Sequence, residues 1–307
     1  MANRIDASDR PPAGVMIPLD PGIRRIIAPN PSPMTYWGTN SFVLGEGDVA
    51  VIDPGPADPE HMEALLSSLQ RGERITQILV THAHLDHSPL ARPLSEATGA
   101  PVIAFGDAQA GRSAVMQDLV ARGLTSGGEG VDATFKPDIT VEDGELFQAG
   151  GMEIEAIWTP GHFANHLSFA WQDAVFTGDH VMGWASSLVS PPDGDLTAFM
   201  ASCTKLAARD DRILYPAHGA VITDPAARLA WLIAHRQSRE TEILAALSDG
   251  RPATVATLTR AIYVETPPAL IPAAERNVFA HLIDLATREI VEAEPRLEAN
   301  AVFRRIG

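Results

Sequence analysis

Cysteine is almost absent: Cys203 stands alone among 307 residues. No intrachain disulfide can form, which suits a reducing compartment and makes the cytoplasm the expectation. Long apolar runs are missing too. No stretch reaches the roughly 18 apolar residues that a membrane span requires, so no membrane partner is expected. Residues 1–14 are polar and proline-containing, without the apolar centre of a signal peptide. Positive charge is scarce as well, with 23 Lys+Arg against 39 Asp+Glu and a net charge of −16. The whole deficit lies in residues 1–224, which hold 13 against 29, while residues 225–307 hold 10 against 10. That balance weighs against a protein that grips long nucleic acid by neutralising phosphates. It leaves room for divalent cations to offset part of the acidic excess. No repeat of solenoid period occurs.

What is present suits a chain with a sizeable core: 45% hydrophobic residues, with 24 glycines and 24 prolines to punctuate it. Short strand-like runs cover residues 23–28, 41–44 and 49–52, the last stopped by Asp53-Pro54-Gly55. Residues 58–70 carry a helical stripe, Met62, Leu65, Leu66 and Leu69, with Pro59 in the first turn. A buried strand is expected over 75–81, a helix over 88–98, a strand over 100–105 and a helix over 108–122. A glycine-rich loop, read as mobile, follows at 125–130. Further strands are expected over 151–158, 167–171, 174–177 and 212–215, with a helix over 195–208. At Asp224 the pattern changes. Asp224 is a good N-cap and Pro225 a good first residue for a long helix to about Leu247, broken by residues 248–252. The rest reads as helix, loop, helix and a short terminal strand.

The chemistry concentrates in Thr81-His82-Ala83-His84-Leu85-Asp86-His87. His82 and His84, two apart on a strand leading into a loop, point the same way. Asp86 and His87 follow where the chain turns. Three more metal-type ligands each sit just beyond an apolar strand: His162 in Pro160-Gly161-His162, Asp179 in Gly178-Asp179, and His218 in Pro216-Ala217-His218-Gly219. Ligand crevices form where strands end at one edge of a sheet. Neutral imidazoles with carboxylates suit Zn²⁺ and can also hold Fe, Mn or Ni.

The order HxHxDH, PGH, GD, PAHG resembles the metallo-β-lactamase superfamily over residues 20–224. The resemblance implies a four-layer αββα sandwich, an α/β (α+β) fold. It puts one metal on His82, His84 and His162, and a second on Asp86, His87 and His218, with Asp179 bridging them. Two divalent cations, zinc in the first instance, are thus the implied cofactors, and Asp86 and Asp179 the implied catalytic carboxylates. Asp53 matches the supporting acid beneath the site. A hydroxide between the metals would attack an ester, thioester, lactone or similar bond in a small molecule. A phosphodiesterase or endoribonuclease using the same metals is the alternative. A mononuclear iron enzyme of the persulfide dioxygenase type is a further one, disfavoured by the intact second triad.

Gly38-Thr39-Asn40-Ser41-Phe42, Gly178-Asp179-His180-Val181-Met182-Gly183, Pro191-Pro192-Asp193-Gly194-Asp195 and the long helix with His235-Arg236 look like the branch with a C-terminal winged helix. Residues 1–224 would then form the catalytic domain, and 225–307 a linker helix and a small helical winged-helix-like domain. That tail is charge-neutral, with seven Arg and no Lys after Gly250. Packing or a homodimer contact is expected of it before nucleic-acid binding. The insertion that RNA-cleaving relatives carry is missing, since His218 lies only 39 positions after Asp179. His166 and His180 could support ligands or face substrate, and segments 37–40 and 183–184 could touch it. His61, His235 and His281 read as surface or packing residues, so that replacing His281 should do little. Cys203 reads as a small hydrophobe, too far along the chain from the motifs to be a nucleophile.

Overall fold

Runs that are apolar at successive positions form strands buried on both faces, and two such sheets stack at the centre of the molecule. The computed structural model describes residues 10–125, 130–248 and 250–306. Part of the glycine-rich loop (126–129), part of the N-terminal stretch (1–9) and Asp249 of the helix break lie outside the described residues.

The first sheet takes its strands in chain order: β1 (Ile17–Asp20), β2 (Ile23–Ile27), β3 (Asn40–Glu46), β4 (Asp48–Ile52), β5 (Arg74–Leu79), β6 (Val102–Ala104) and β7 (Ile139–Thr140). It is antiparallel as far as β4 and parallel from there on. The second sheet holds β8 (Leu146–Ala149), β9 (Met152–Trp158), β10 (Leu167–Trp171), β11 (Ala174–Gly178) and β12 (Ile213–Pro216), in the order β12-β11-β10-β9-β8. Its one parallel pair is β11 with β12. Phe42, Leu44, Ile52 and Leu79 of the first sheet meet Ile154, Leu167, Phe169 and Phe176 of the second.

Helices cover both outer faces. Leu65 of α1 (Pro59–Ser67) and Leu94 of α2 (Ala91–Thr98) pack on Val43, Val51 and Ile78. Phe199, Cys203 and Leu206 of α4 (Leu196–Ala207) pack on Val175 and Leu214, together with Leu229 and Leu232 of α5 (Pro225–Ala246). This is the expected four-layer sandwich. Asp58, Asp195 and Asp224 cap α1, α4 and α5 by accepting backbone N–H bonds in the first turn.

Two helices start later than expected. Residues 88–90 form a turn before α2. The helix expected over 108–122 is only α3 (Ala114–Ala121). Gly111 interrupts the pattern with φ +80° and the carbonyl oxygen of Ala164 close against it, and Ser113 then caps the helix through Met116 N–H.

The tail is helical with a three-stranded sheet: β13 (Ala253–Thr254), α6 (Val255–Ile262), a short 3₁₀ turn, α7 (Ile271–Thr287), β14 (Val291–Glu294) and β15 (Val302–Arg305). Its core joins Leu258, Val278, Leu282 and Phe303 to Ile243 of α5 and its C-cap Leu247, and to Met116 and Leu119 of α3. Eight successive residues of α7, Val278–Leu285, are buried. Among the described residues, no helix is long and apolar enough to cross a membrane.

His281 is one of those eight, a packing residue and not a surface one, and neither ring nitrogen finds a hydrogen-bond partner among the described residues. Burial, reinforced by Arg236, drives its pKa down to about 3. The unfolded imidazole titrates near 6.5, so below that pH the unfolded chain binds a proton that the fold refuses. Stability is therefore full above pH 6.5 and is lost as pH falls, at up to about 1.4 kcal/mol per unit. His281→Leu should gain about 2 kcal/mol more over the parent at pH 5 than at pH 7, read by urea unfolding. An equal difference at both pH values would rule out a histidine held neutral.

Candidate metal centre

All seven expected residues lie just beyond the C-terminal ends of strands at one edge of the sandwich. Residues 82–87 follow β5, His162 follows β9, Asp179 follows β11 and His218 follows β12. Strands β9, β11 and β12 run the same way, as do β4 and β5, so their ends converge. Donor atoms of His82, His84, His162 and Asp179 lie within 4.8 Å of one another, and so do those of Asp86, His87 and His218. Asp179 also reaches across to the second group: its Oδ1 lies 3.6 Å from His87 Nε2 and 3.3 Å from His218 Nε2. Its Oδ2 lies 3.6 Å from His162 Nε2. The carboxylate thus stands between the two sets.

The outward nitrogens decide what the inward ones can do. His162 Nδ1 donates to the Leu188 carbonyl at 2.7 Å and His218 Nδ1 to the Gly38 carbonyl at 3.1 Å. A carbonyl only accepts, so in the neutral ring each Nε2 is left as a lone pair facing inward. His87 Nδ1 is 2.9 Å from Asp53 Oδ2, which fixes it in the same way. Asp53 also accepts from Thr81 N–H and Thr81 Oγ1, both at 2.8 Å, so it ties the loop to β4 from below. His87 Nε2, His218 Nε2 and Asp179 Oδ1 are buried without a hydrogen-bond partner among the described residues. His82 Nε2 and His162 Nε2 crowd His84 Nδ1 at 2.9 and 3.2 Å. Lone pairs converging on buried carboxylates need a cation, and this donor set fits divalent ions.

The electrostatics agree. Burial alone would lower His218, yet Asp179 and Asp86 hold it up to about 10. Burial opposes charge on His87 too, but Asp86, Asp179 and Asp53 raise it well above the ordinary value. Burial raises Asp179, and His218 and His87 more than reverse that, leaving it well below the usual carboxylate range. Both imidazoles thus sit in a negative field that divalent cations would offset. His82 and His84, farther from the carboxylates, are driven down by burial and by the neighbouring rings, His84 to about 3.

Other residues take places that the sequence left open. His166 and His180 are fully buried behind the ligand set and face no solvent. His166 Nδ1 pairs with Thr159 Oγ1 at 2.9 Å, and His180 Nε2 lies 3.5 Å from Cys203 Sγ. Cys203 is therefore close to the site in space although far in sequence; burial pushes its thiol up to about 12, which removes it as a nucleophile. His61 is buried and pairs with Ser41 Oγ at 3.0 Å. Thr39 Oγ1 donates to Asp86 Oδ2 at 3.3 Å, so it supports a ligand-type carboxylate. Tyr36, unmarked by any motif, stacks on Trp184 at 4.9 Å beside Gly219. The Leu188 carbonyl was invisible in the sequence because any residue supplies one.

Residues 34–218 match the sequence profile of the metallo-beta-lactamase superfamily, and 254–298 that of the beta-lactamase associated winged helix domain. The chain belongs to the metallo-β-lactamase superfamily, and it is a hydrolase of the branch with a C-terminal winged helix. The lactamase-like protein adaB of Aspergillus niger is 33% identical over 244 residues, 76% of this chain and 67% of that one. An atrochrysone carboxyl ACP thioesterase of Aspergillus fumigatus is 31% identical over 240 residues, 75% of this chain and 66% of that one. The chain thus spans about two thirds of the length of these relatives. A beta-lactamase domain protein from Burkholderia ambifaria has the same fold, with a TM-score of 0.80 at 22% identity, covering 98% of this chain and 96% of that one.

Proposed function

We propose that the chain is a dinuclear, zinc-loaded thioester hydrolase acting on a small or carrier-bound acyl group in the cytoplasm. The observation that carries the reading is the pair of donor sets sharing Asp179, each complete in residue type. One set would hold a metal through His82, His84 and His162, the other through Asp86, His87 and His218. Residues 1–224 would supply the site and residues 225–307 its flank. Divalent cations held there supply an activated water near neutral pH and polarise the attacked carbonyl.

The chain's own residues supply the rest. Asp86 has the more exposed of the two carboxylates, 24% against 10% for Asp179. It is the one placed to take a proton from water arriving from solvent. A thiolate, with a pKa of about 8.5, leaves without being protonated, so thioester cleavage asks for no acid on the leaving-group side. The A. fumigatus relative is named a thioesterase, which supports the same choice. Tyr36, Trp184 and the half-exposed Leu85 and Met34 flank the metal loops and would favour an apolar or aromatic acyl group. A cavity of about 520 Å³ beside the loop, lined by Leu85, Ser88, Arg92 and Phe135, includes none of the seven residues in its wall. We assign it no part in the chemistry.

The reading predicts two zincs per chain and turnover on an aryl thioester, with β-lactam and phosphodiester hydrolysed far more slowly. One iron per chain would favour the oxidative alternative. A zinc-loaded protein faster on phosphodiesters would overturn the thioester assignment. Burial of α7 over residues 278–285 argues against insertion of that helix in a nucleic-acid groove. Trp184→Ala should raise KM about tenfold with kcat nearly unchanged, as loss of binding common to ground and transition state does. A fall in kcat alone would place Trp184 elsewhere in the cycle.

A further inference from the structure

The peptide unit joining Leu188 to Val189 has both of its polar groups committed. Its carbonyl accepts from His162 Nδ1 at 2.7 Å. Its N–H donates to Asn277 Oδ1 at 3.1 Å. The same Oδ1 accepts from Arg236 Nη1 at 2.9 Å, while Asn277 Nδ2 donates to the Ala273 carbonyl and so fixes which way the amide faces. Arg236 Nη2 donates to the carbonyls of Ser186 and Ser187, at 2.7 and 2.6 Å. Ser187 has φ +57°, a conformation that a serine holds only when its surroundings insist. Arg236 is itself buried, with its guanidinium over the Phe199 ring at 5.0 Å.

We infer that Asn277 and Arg236 are positioning residues for His162, which makes the C-terminal helices a working part of the metal centre. Hydrogen bonds in series polarise one another. Removing the acceptor at the far end frees the Leu188–Val189 peptide to rotate, and His162 loses both its tautomer and its aim. The inference rests on the reading of His162 as a metal ligand. It goes beyond that reading by giving the winged-helix segment a task other than nucleic-acid binding.

The test compares zinc affinity, by chelator competition, and the visible spectrum of the cobalt-substituted protein. Outer partners of a ligating histidine typically contribute about ten- to a hundredfold in metal affinity. Asn277→Leu, close in size but without an acceptor, should lose about that much affinity and shift the cobalt bands. Asn277→Asp keeps the acceptor beside Arg236 and should stay within about threefold of the parent. Thr197→Val removes a different bond to α7, from Thr197 Oγ1 to Asp284 Oδ1 at 2.6 Å, and should leave both readouts unmoved. Should Asn277→Leu fail to fold, Arg236→Lys replaces it, with an expected loss of about tenfold. Unchanged affinity and spectrum in a folded Asn277→Leu or Arg236→Lys would overturn the inference. So would an equal loss in Thr197→Val, which would mean that only general docking matters. A parent that binds no zinc or cobalt would fail the metal reading itself, and the inference with it.

Discussion

Asp179→Ala should abolish turnover and empty the site of most of its metal. The carboxylate touches both donor sets, with one oxygen toward His162 and the other toward His87 and His218. It is also the negative charge, together with Asp86, that holds a positive charge at His218. On the two-metal reading its removal deletes a carboxylate shared by both sets and strips the compensation from a buried imidazole cluster. The expected readouts are metal content by elemental analysis and thioester hydrolysis at saturating zinc, with a loss of at least about a thousandfold in kcat/KM, or some 4 kcal/mol of transition-state stabilisation. Asp179→Asn should retain more metal than Ala but little activity, because the amide keeps the shape and loses the charge. Substantial turnover in Asp179→Ala would sink the two-metal reading.

Gly161→Ala should be among the most damaging one-carbon changes outside the seven candidate residues. Gly161 has φ +146°, and a Cβ built there would stand 2.3 Å from Phe199 Cα and 2.6 Å from Phe199 N. Both are backbone atoms of α4, so no side chain can swing aside. The loop carrying His162 and the helix covering the second sheet would have to separate, and Phe199 is fully buried between them. Overpacking of this kind costs about 1–3 kcal/mol in ordinary cores, and backbone strain at such a φ adds of order 1–3 more. Thermal unfolding should fall by about 10 °C or more, with zinc affinity reduced even in the folded fraction. A variant with unchanged Tm and metal affinity would show that the loop has room that the contacts deny.

Much of the candidate site was legible because its seven residues fall in four short motifs, each just after an apolar strand. His162, Asp179 and His218 each sit beside a glycine, and residues 82–87 carry a spacing of their own, so residue type, spacing and strand ends pointed to one place. The central strands were legible because continuous apolar runs mark strands covered on both faces, while the four-layer sandwich was implied by the family resemblance of the motifs. The helix start at 114 was misread, since the apolar spacing continues through the turn set by Gly111 and its close approach to Ala164, and the start at 91 was misread because residues 88–90 form a turn first. The burial of His281 and the closeness of Cys203 to His180 depend on which way a helix faces, which periodicity alone leaves open for a polar residue. The carbonyls of Leu188 and Gly38 carry no residue signature. Nor does Asn277, which meets the Leu188–Val189 peptide across 88 positions of chain.

Helix α5 lies across a seam. Leu229 and Leu232 pack with the outer face of the second sheet, while Ile243 and, just past the helix end, Leu247 pack with α7, β15 and α3. A chain ending at Asp224 would thus not be a trimmed hydrolase but a torn one, with α3 and α4 presenting bare apolar flanks to water. Such a fragment should precipitate or be captured by chaperones. The two family segments, though matched separately, share one apolar seam, and each covers a surface that the other would leave bare.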